Sequence, residues 1–276
     1  MSRITQRFAK LKRANRAAFI PFITAGDPDS ETTAALLEKL PAAGADLIEL
    51  GIPFSDPMAD GPAIQASSLR ALQAGMTLTK VIELVRRFRK TDNSTPIILM
   101  GYYNPIHAYG TARFAKDAAE AGVDGVITVD LPPEEDSVLR IPATAQGMDI
   151  VRLATPTTDD ERLKAVVNGA SGFLYYVSIA GVTGTKSFAE AEVRAAVARL
   201  KAASGLPCAV GFGIKTPKQA AAVASFADGA VVGSAIVDRI AALNGRKKAE
   251  LVAEVLEFCA ALAQSVHAAR TPSVVE

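Results

Sequence analysis

Residues that hold metals or close disulfides are scarce in this chain of 276 residues, which has two cysteines, Cys208 and Cys259, and two histidines, His107 and His267. Two widely spaced cysteines outside any C-x-x-C motif exclude a disulfide framework. They read as reduced, buried thiols of a cytoplasmic protein. The histidines share no ligand spacing with each other or with the cysteines, so no metal site is expected. An excess of either charge is also missing, with 30 basic residues against 29 acidic ones. That argues against a nucleic-acid partner, which would demand a basic surplus, but leaves room for a local phosphate site. No apolar run approaches the ~18 residues of a membrane span, so no membrane role is expected.

What is present is apolar residues in abundance, 49% of the chain. Eight short apolar runs recur: Phe19–Thr24, Leu47–Gly51, Ile97–Gly101, Gly125–Val129, Asp149–Leu153, Phe173–Val177, Cys208–Gly211 and Gly229–Val232. Their unbroken apolar character predicts strands buried on both faces, as in a parallel sheet. Between them lie helical patterns. Thr32–Ala43 follows the capping candidates Asp29 and Ser30, Leu78–Lys90 ends in basic residues, and Thr158–Val167 starts with an acidic, capped turn. Ala43-Gly44-Ala45-Asp46 is echoed by Ala121-Gly122-Val123-Asp124 and, loosely, by Phe226-Ala227-Asp228-Gly229, each before a strand.

Eight such units predict a single-domain α/β protein of the (β/α)8 TIM-barrel type over residues 1–268. A doubly wound open sheet is the alternative, but it would want G-x-G-x-x-G after the first strand, where Ala25-Gly26-Asp27-Pro28 stands. Residues 1–16 carry six basic residues and no acid, which imitates a transit peptide. Ile4, Phe8 and Leu11 share one helical face, however, and the first strand follows at once, so this segment is expected to be an extra amphipathic helix packed on the fold. Residues 269–276, with Pro272 and few packing residues, are expected to fray.

In a barrel the chemistry sits at the C-terminal ends of strands and in the loops behind them. Glu49 meets that condition, among Leu47, Ile48, Leu50 and Ile52. Alternation places Leu47, Glu49 and Gly51 on one face. If that face is the barrel interior, Glu49 points to its mouth, and burial would raise its pKa into the range useful for both giving and taking a proton. The other reading is a Glu paired with a basic residue. Asp60, eleven residues on, precedes Gly61-Pro62. Alone it reads at least as well as the cap of a helix starting near Pro62. Asp56, in Ser55-Asp56-Pro57, reads as turn chemistry.

Three glycine-bearing loops follow the last strands: Gly181-Val182-Thr183-Gly184, Gly211-Phe212-Gly213-Ile214-Lys215 and Gly233-Ser234-Ala235. Barrels bind phosphate with the loops after strands seven and eight, where glycine lets backbone N–H groups approach an anion. The Gly181–Lys186 stretch, small and polar, could serve as a mobile lid. Phe22, Met100 and Phe212 stand at or near strand ends, where a pocket wall and plain core are both open.

These motifs resemble the alpha subunit family of tryptophan synthase over nearly the whole chain. The resemblance rests on Phe19–Pro28, Glu49–Pro57 with Ala59–Pro62, Met100–Pro105, Ala180–Gly184, Gly211–Ile214 and Gly233–Val237. It implies a TIM-barrel lyase that splits indole-3-glycerol phosphate into indole and glyceraldehyde 3-phosphate by a retro-aldol reaction. It implies no cofactor in this subunit, and a beta subunit partner that carries pyridoxal phosphate, in an α2β2 assembly. Glu49 and Asp60 match the catalytic acids. Gly184, Gly213 and Ser234, with Gly233 beside them, match phosphate-binding positions, and Phe22, Met100, Tyr175 and Phe212 match positions near the indole. Thr183 matches the lid residue that orients Asp60, and Asp56 and Pro57 lie in the loop that senses the partner. Ile179 stands where some members carry Arg and Phe173 where some carry Tyr, departures that touch the lid and the pocket's polarity.

Two rivals to that reading differ in what the acids would do. Another phosphate-binding barrel enzyme would share the glycine loops but not the Pro53–Pro62 segment. A binding subunit with vestigial catalysis would not be expected to keep both Glu49 and Asp60.

Overall fold

The computed structural model describes residues 1–177, 186–211 and 213–270, with the backbone alone at 186–189. Nine parallel strands form its sheet: β1 (Ala18–Thr24), β2 (Ile48–Gly51), β3 (Ile97–Gly101), β4 (Gly125–Thr128), β5 (Asp149–Ile150), β6 (Arg152–Ala154), β7 (Leu174–Val177), β8 (Cys208–Gly211) and β9 (Gly229–Val232). Their order is β5-β4-β3-β2-β1-β9-β8-β7-β6. The two ends of that order are one expected strand, interrupted at Val151, whose N–H still donates to Val126 O at 3.1 Å. The sheet therefore returns on itself as a nearly closed barrel, and the open-sheet alternative falls.

Twelve helices surround it among the described residues: α1 (Arg3–Arg13), α2 (Ser30–Lys39), α3 (Pro62–Gln73), α4 (Leu78–Phe88), α5 (Tyr103–Tyr109), α6 (Thr111–Ala121), α7 (Ser137–Ala145), α8 (Asp160–Val167), α9 (Lys186–Ser204), α10 (Pro217–Ala224), α11 (Ser234–Ala242) and α12 (Lys248–Ala268). The expected helix at Thr32–Ala43 is shifted toward the N-terminus. Asp29 caps it by accepting Thr32 N–H at 2.8 Å, and it stops at Lys39 because Pro41 has no N–H to continue the ladder. By length and composition α12 is apolar enough to cross a membrane. Its buried face, Leu251, Val255, Cys259, Leu262 and Val266, is part of the core around the barrel. Arg270, in the stretch expected to fray, donates to Ala224 O at 2.8 Å and to Ala227 O. Residues 271–276 lie outside the described residues.

Two apolar layers result. Ile48, Leu50, Ile97 and Leu99 face outward onto the helices. Ile20, Leu47, Ile98, Ile127, Val151, Phe173, Tyr175, Ala209 and Val231 fill the barrel, with Ile4, Phe8 and Leu11 of α1 packed beneath them. The N-terminal segment is thus the expected amphipathic helix, and it closes the base of the barrel.

The internal echo has a structural purpose. Asp46, Asp124 and Asp228 stand at strand starts and accept the N–H groups of Phe19, Ile97 and Cys208 on neighbouring strands at 3.0, 2.8 and 2.9 Å. Each carboxylate also meets a cation: Arg7 and Arg16 on Asp46, Arg89 and Arg3 on Asp124, Lys201 on Asp228. Gly44 and Gly122, two residues before Asp46 and Asp124, adopt φ of +97° and +98°, which a side chain would strain.

Candidate active site

Parallel pairing sets Phe22, Glu49 and Ile98 side by side on β1, β2 and β3. Leu47 lies inside the barrel while Ile48 and Leu50 face out, so alternation turns Glu49 inward and toward the mouth. Glu49 is 2% exposed, and among the described residues neither of its carboxylate oxygens has a hydrogen-bond partner. The reading of Glu49 as half of an ion pair is therefore excluded among those residues. Burial disfavours its charged form, and the nearby charge of Asp60 adds to this, pushing its pKa up to about 8. A carboxyl group so placed holds its proton at neutral pH and gives it up only slightly above.

Asp60 reaches the same mouth from the loop between β2 and α3. The helix cap is Gly61, with Pro62 at the first helical position and no side-chain cap bond, so Asp60 does not cap α3. Its carboxylate instead accepts the Tyr102 hydroxyl at 3.1 Å. Burial raises the Asp60 pKa, and the Tyr102 hydrogen bond works in the opposite direction. Asp60 lines a pocket at the mouth with Phe22, Gly51, Ile52, Met100 and Tyr102. Gly51 is required there: a Cβ built on it would lie 2.5 Å from the Phe22 ring. Thr24 of β1 and Ser68 of α3 add polar atoms to a wall that Ile64 also lines. Buried Thr24 shares a hydrogen bond of 2.6 Å with Ser67.

Of the residues singled out in the sequence, Phe22, Met100 and Asp60 line this pocket, and Glu49 adjoins it through Phe22. Tyr175 lies in the interior layer, buried, on β7. Its hydroxyl pKa is driven well above the ordinary value by burial and by the charges of Glu49 and Asp60. Gly233 caps α11 without a side-chain bond, and Ser234 begins that helix. The first N–H groups of a helix have no partner within it and suit an anion. Gly233 also abuts the pocket, since a Cβ there would be 3.5 Å from the Phe22 side chain. Gly213 is exposed after β8 with φ of +76°. Asp56 is exposed and Pro57 half-buried on the acid loop. Thr183, Gly184, Phe212 and Ile179 lie outside the described residues, as does most of the expected lid. Phe173 is buried against Phe8, ring centroids 5.5 Å apart, at the barrel's base rather than in the pocket.

Sequence reasoning missed Tyr102, Thr24 and Ser68. Tyr102 lay within a quoted motif, but two adjacent tyrosines gave no sign of which turns inward.

The pocket, its two acids and the glycine-capped helix beside it agree with the comparisons. Residues 8–267 match the family described as Tryptophan synthase alpha chain. This chain belongs to that family. A crystal structure of the tryptophan synthase alpha chain from Legionella pneumophila subsp. pneumophila is 43% identical, with a TM-score of 0.87 over 96% of this chain and 97% of that one. The subunit alpha from Legionella pneumophila str. Paris is 44% identical, with a TM-score of 0.88 over 96% and 98%. Tryptophan synthase from M. tuberculosis, in an aminoacrylate-bound form, is 32% identical, with a TM-score of 0.85 over 97% and 100%. The fold is accordingly the TIM barrel of these alpha chains, and family membership makes this chain a lyase of tryptophan biosynthesis that cleaves indole-3-glycerol phosphate to indole and glyceraldehyde 3-phosphate.

Proposed function

We propose that Glu49 and Asp60 carry out this cleavage, and that the chain works within an α2β2 complex. The observation that carries the assignment is Glu49: a buried carboxyl without a hydrogen-bond partner among the described residues, its pKa pushed up to about 8, facing a second acid across the pocket mouth. Indole leaves poorly as a carbanion. Protonation at ring carbon C3 makes the ring an electron sink, so the bond to the glycerol chain can break. Glu49, protonated at neutral pH, supplies that proton and as a carboxylate takes one from the adjacent side-chain hydroxyl. The electrons of the broken C–C bond return to the ring, and the hydroxyl carbon becomes the aldehyde of glyceraldehyde 3-phosphate. Asp60, ionised, accepts the indole N–H and stabilises the positive charge that develops on nitrogen. Stabilisation that grows toward the transition state is what speeds the chemical step.

Phe22, Met100 and Tyr175 form apolar surroundings for the ring, with Phe212 expected to join them. The N–H groups at Gly233 and Ser234 hold the phosphate, with Gly213 and Gly184 completing the grip. The cleavage needs no metal or organic cofactor in this subunit. The partner is a beta subunit, in which pyridoxal phosphate would join indole to serine. Asp56 and Pro57, beside Met58, which is 80% exposed, form the surface facing it. Two free, buried cysteines suit a reducing cytoplasm. The direct test is incubation with indole-3-glycerol phosphate, with and without a beta subunit, while indole is measured. Indole release supports the reading, and its absence under both conditions overturns it.

A further inference from the structure

The loop that carries Asp60 runs from Pro53 to Gly61 and, among the described residues, has few hydrogen bonds to the barrel. Its own hydrogen bonds are short-range: Met58 N–H to Asp56 O at 2.9 Å and Asp60 N–H to Pro57 O at 3.1 Å. Gln65 of α3 holds the Asp60 carbonyl at 2.8 Å. Beyond α3, the loop's hydrogen bonds and ring contact among the described residues go to one side chain, Tyr102, just beyond β3. Its hydroxyl accepts the Ala59 N–H at 3.0 Å and donates to the Asp60 carboxylate at 3.1 Å. Its ring lies 5.3 Å, centroid to centroid, from that of Phe54 at the loop's other end. Tyr102 is itself 2% exposed and lines the pocket. One rigid, buried residue thus touches the acid loop at three points, and at two of them through a single oxygen.

We propose that Tyr102 is a positioning residue for the cleavage, its hydroxyl fixing the Asp60 carboxylate at the pocket mouth and pinning the Ala59 backbone beside it. This rests on the assignment of Asp60 given above. The arrangement is directional. Because the hydroxyl accepts from Ala59, its one proton is free for Asp60, and the carboxylate oxygen that receives it is fixed in place. The other carboxylate oxygen is left for the indole N–H. The same bond favours the ionised form of Asp60 against the burial that disfavours it. Tyr102 keeps its own proton, because burial and the charges of Asp60 and Asp130 drive its pKa up. Among the described residues, the other ionisable groups on which the Asp60 charge acts are Glu49 on β2 and Tyr175 on β7, and neither supplies a cation.

The test compares Tyr102→Phe, Phe54→Leu and Asp60→Asn in the assembled enzyme. Tyr102→Phe keeps the ring and its contact with Phe54 but loses both hydroxyl bonds. We expect kcat to fall about tenfold with little change in KM, as for a group whose effect is felt in the transition state. The acid limb of kcat/KM should move up in pH, because Asp60 loses the bond that favours its charge. Phe54→Leu weakens the packing and keeps the bonds, so its acid limb should stay in place. A Tyr102→Phe enzyme with wild-type kcat and an unmoved acid limb, alongside an inactive Asp60→Asn enzyme, would overturn the role of Tyr102 alone. Wild-type cleavage by Asp60→Asn would overturn the assignment of Asp60 and the positioning role with it.

Discussion

The charge of Asp60 raises the pKa of Glu49 across the mouth of the barrel, second only to burial as a cause. The two acids are therefore one electrostatic unit, although they come from different elements, a strand end and a loop. Removing the charge of Asp60 should be felt at Glu49.

In Asp60→Asn the Glu49 carboxyl should titrate lower than in the wild type, yet still above an ordinary glutamate, because burial remains the larger cause. Carboxyl NMR of the free variant, read across pH 5 to 10, checks this. A Glu49 pKa unchanged by Asp60→Asn would show that the two acids act independently.

Folding stability should carry the mark of Glu49 with a definite sign. Its pKa is 4.5 in the ordinary state and about 8 in the folded protein, so between these values the folded state holds the proton more tightly. Stability contributed by the protonated form is complete below about pH 4.5, falls as pH rises, and is fully lost above about 8. Glu49→Gln cannot ionise. Relative to the wild type, the variant should gain stability steadily from pH 5 to 8, by a few kcal/mol at the upper end, and no further beyond. Denaturant melts of the two proteins at several pH values check it.

Gly51→Ala would drive a methyl into the Phe22 ring, which lines the pocket. Overpacking of this kind destabilises by about 1–3 kcal/mol. The displaced ring should also raise KM for the indole substrate more than it lowers kcat. Chemical denaturation and steady-state kinetics on one preparation separate these effects.

The opposite end of the barrel should behave differently. Asp124 pairs with buried Arg89 at 2.6 Å and accepts Ile97 N–H, far from the mouth. Asp124→Ala takes the carboxylate from that guanidinium and leaves it only the carbonyls of Asp92, Thr95 and Gly122 among the described residues, and loss of one partner from a buried pair typically costs about 3–5 kcal/mol. Activity per folded molecule should stay near the wild type. A loss of kcat without a loss of stability would contradict this division between a base that holds the fold and a mouth that does the chemistry.

The strands were legible because each is buried on both faces and so reads as a continuous apolar run; seven of the eight, including Ile97–Gly101 and Cys208–Gly211, have the very bounds expected or differ by a single residue at one end. The interruption at Val151 was not legible, since it depends on hydrogen-bond geometry and not on residue type. Helix ends were less visible. Leu40, Ala42 and Ala43 suit a helix, and it is Pro41 among them that ends α2. In the site, Glu49 stood out because a carboxyl on an apolar strand is anomalous. Asp60 did not: next to Gly-Pro it reads as a cap, and only the family resemblance, and then the Tyr102 contact, separate it from one. Tyr102 was hidden for the same reason, because its role lies in a contact 42 residues away in sequence.

The assignment of proton transfer to Glu49 carries the proposed mechanism. It is tested most directly by Glu49→Gln, which keeps the side chain's shape and removes its acid–base function. With saturating indole-3-glycerol phosphate, the variant should release indole at least a hundredfold more slowly while binding a glycerol-phosphate ligand as the wild type does. Indole release by Glu49→Gln at the wild-type rate would contradict the account.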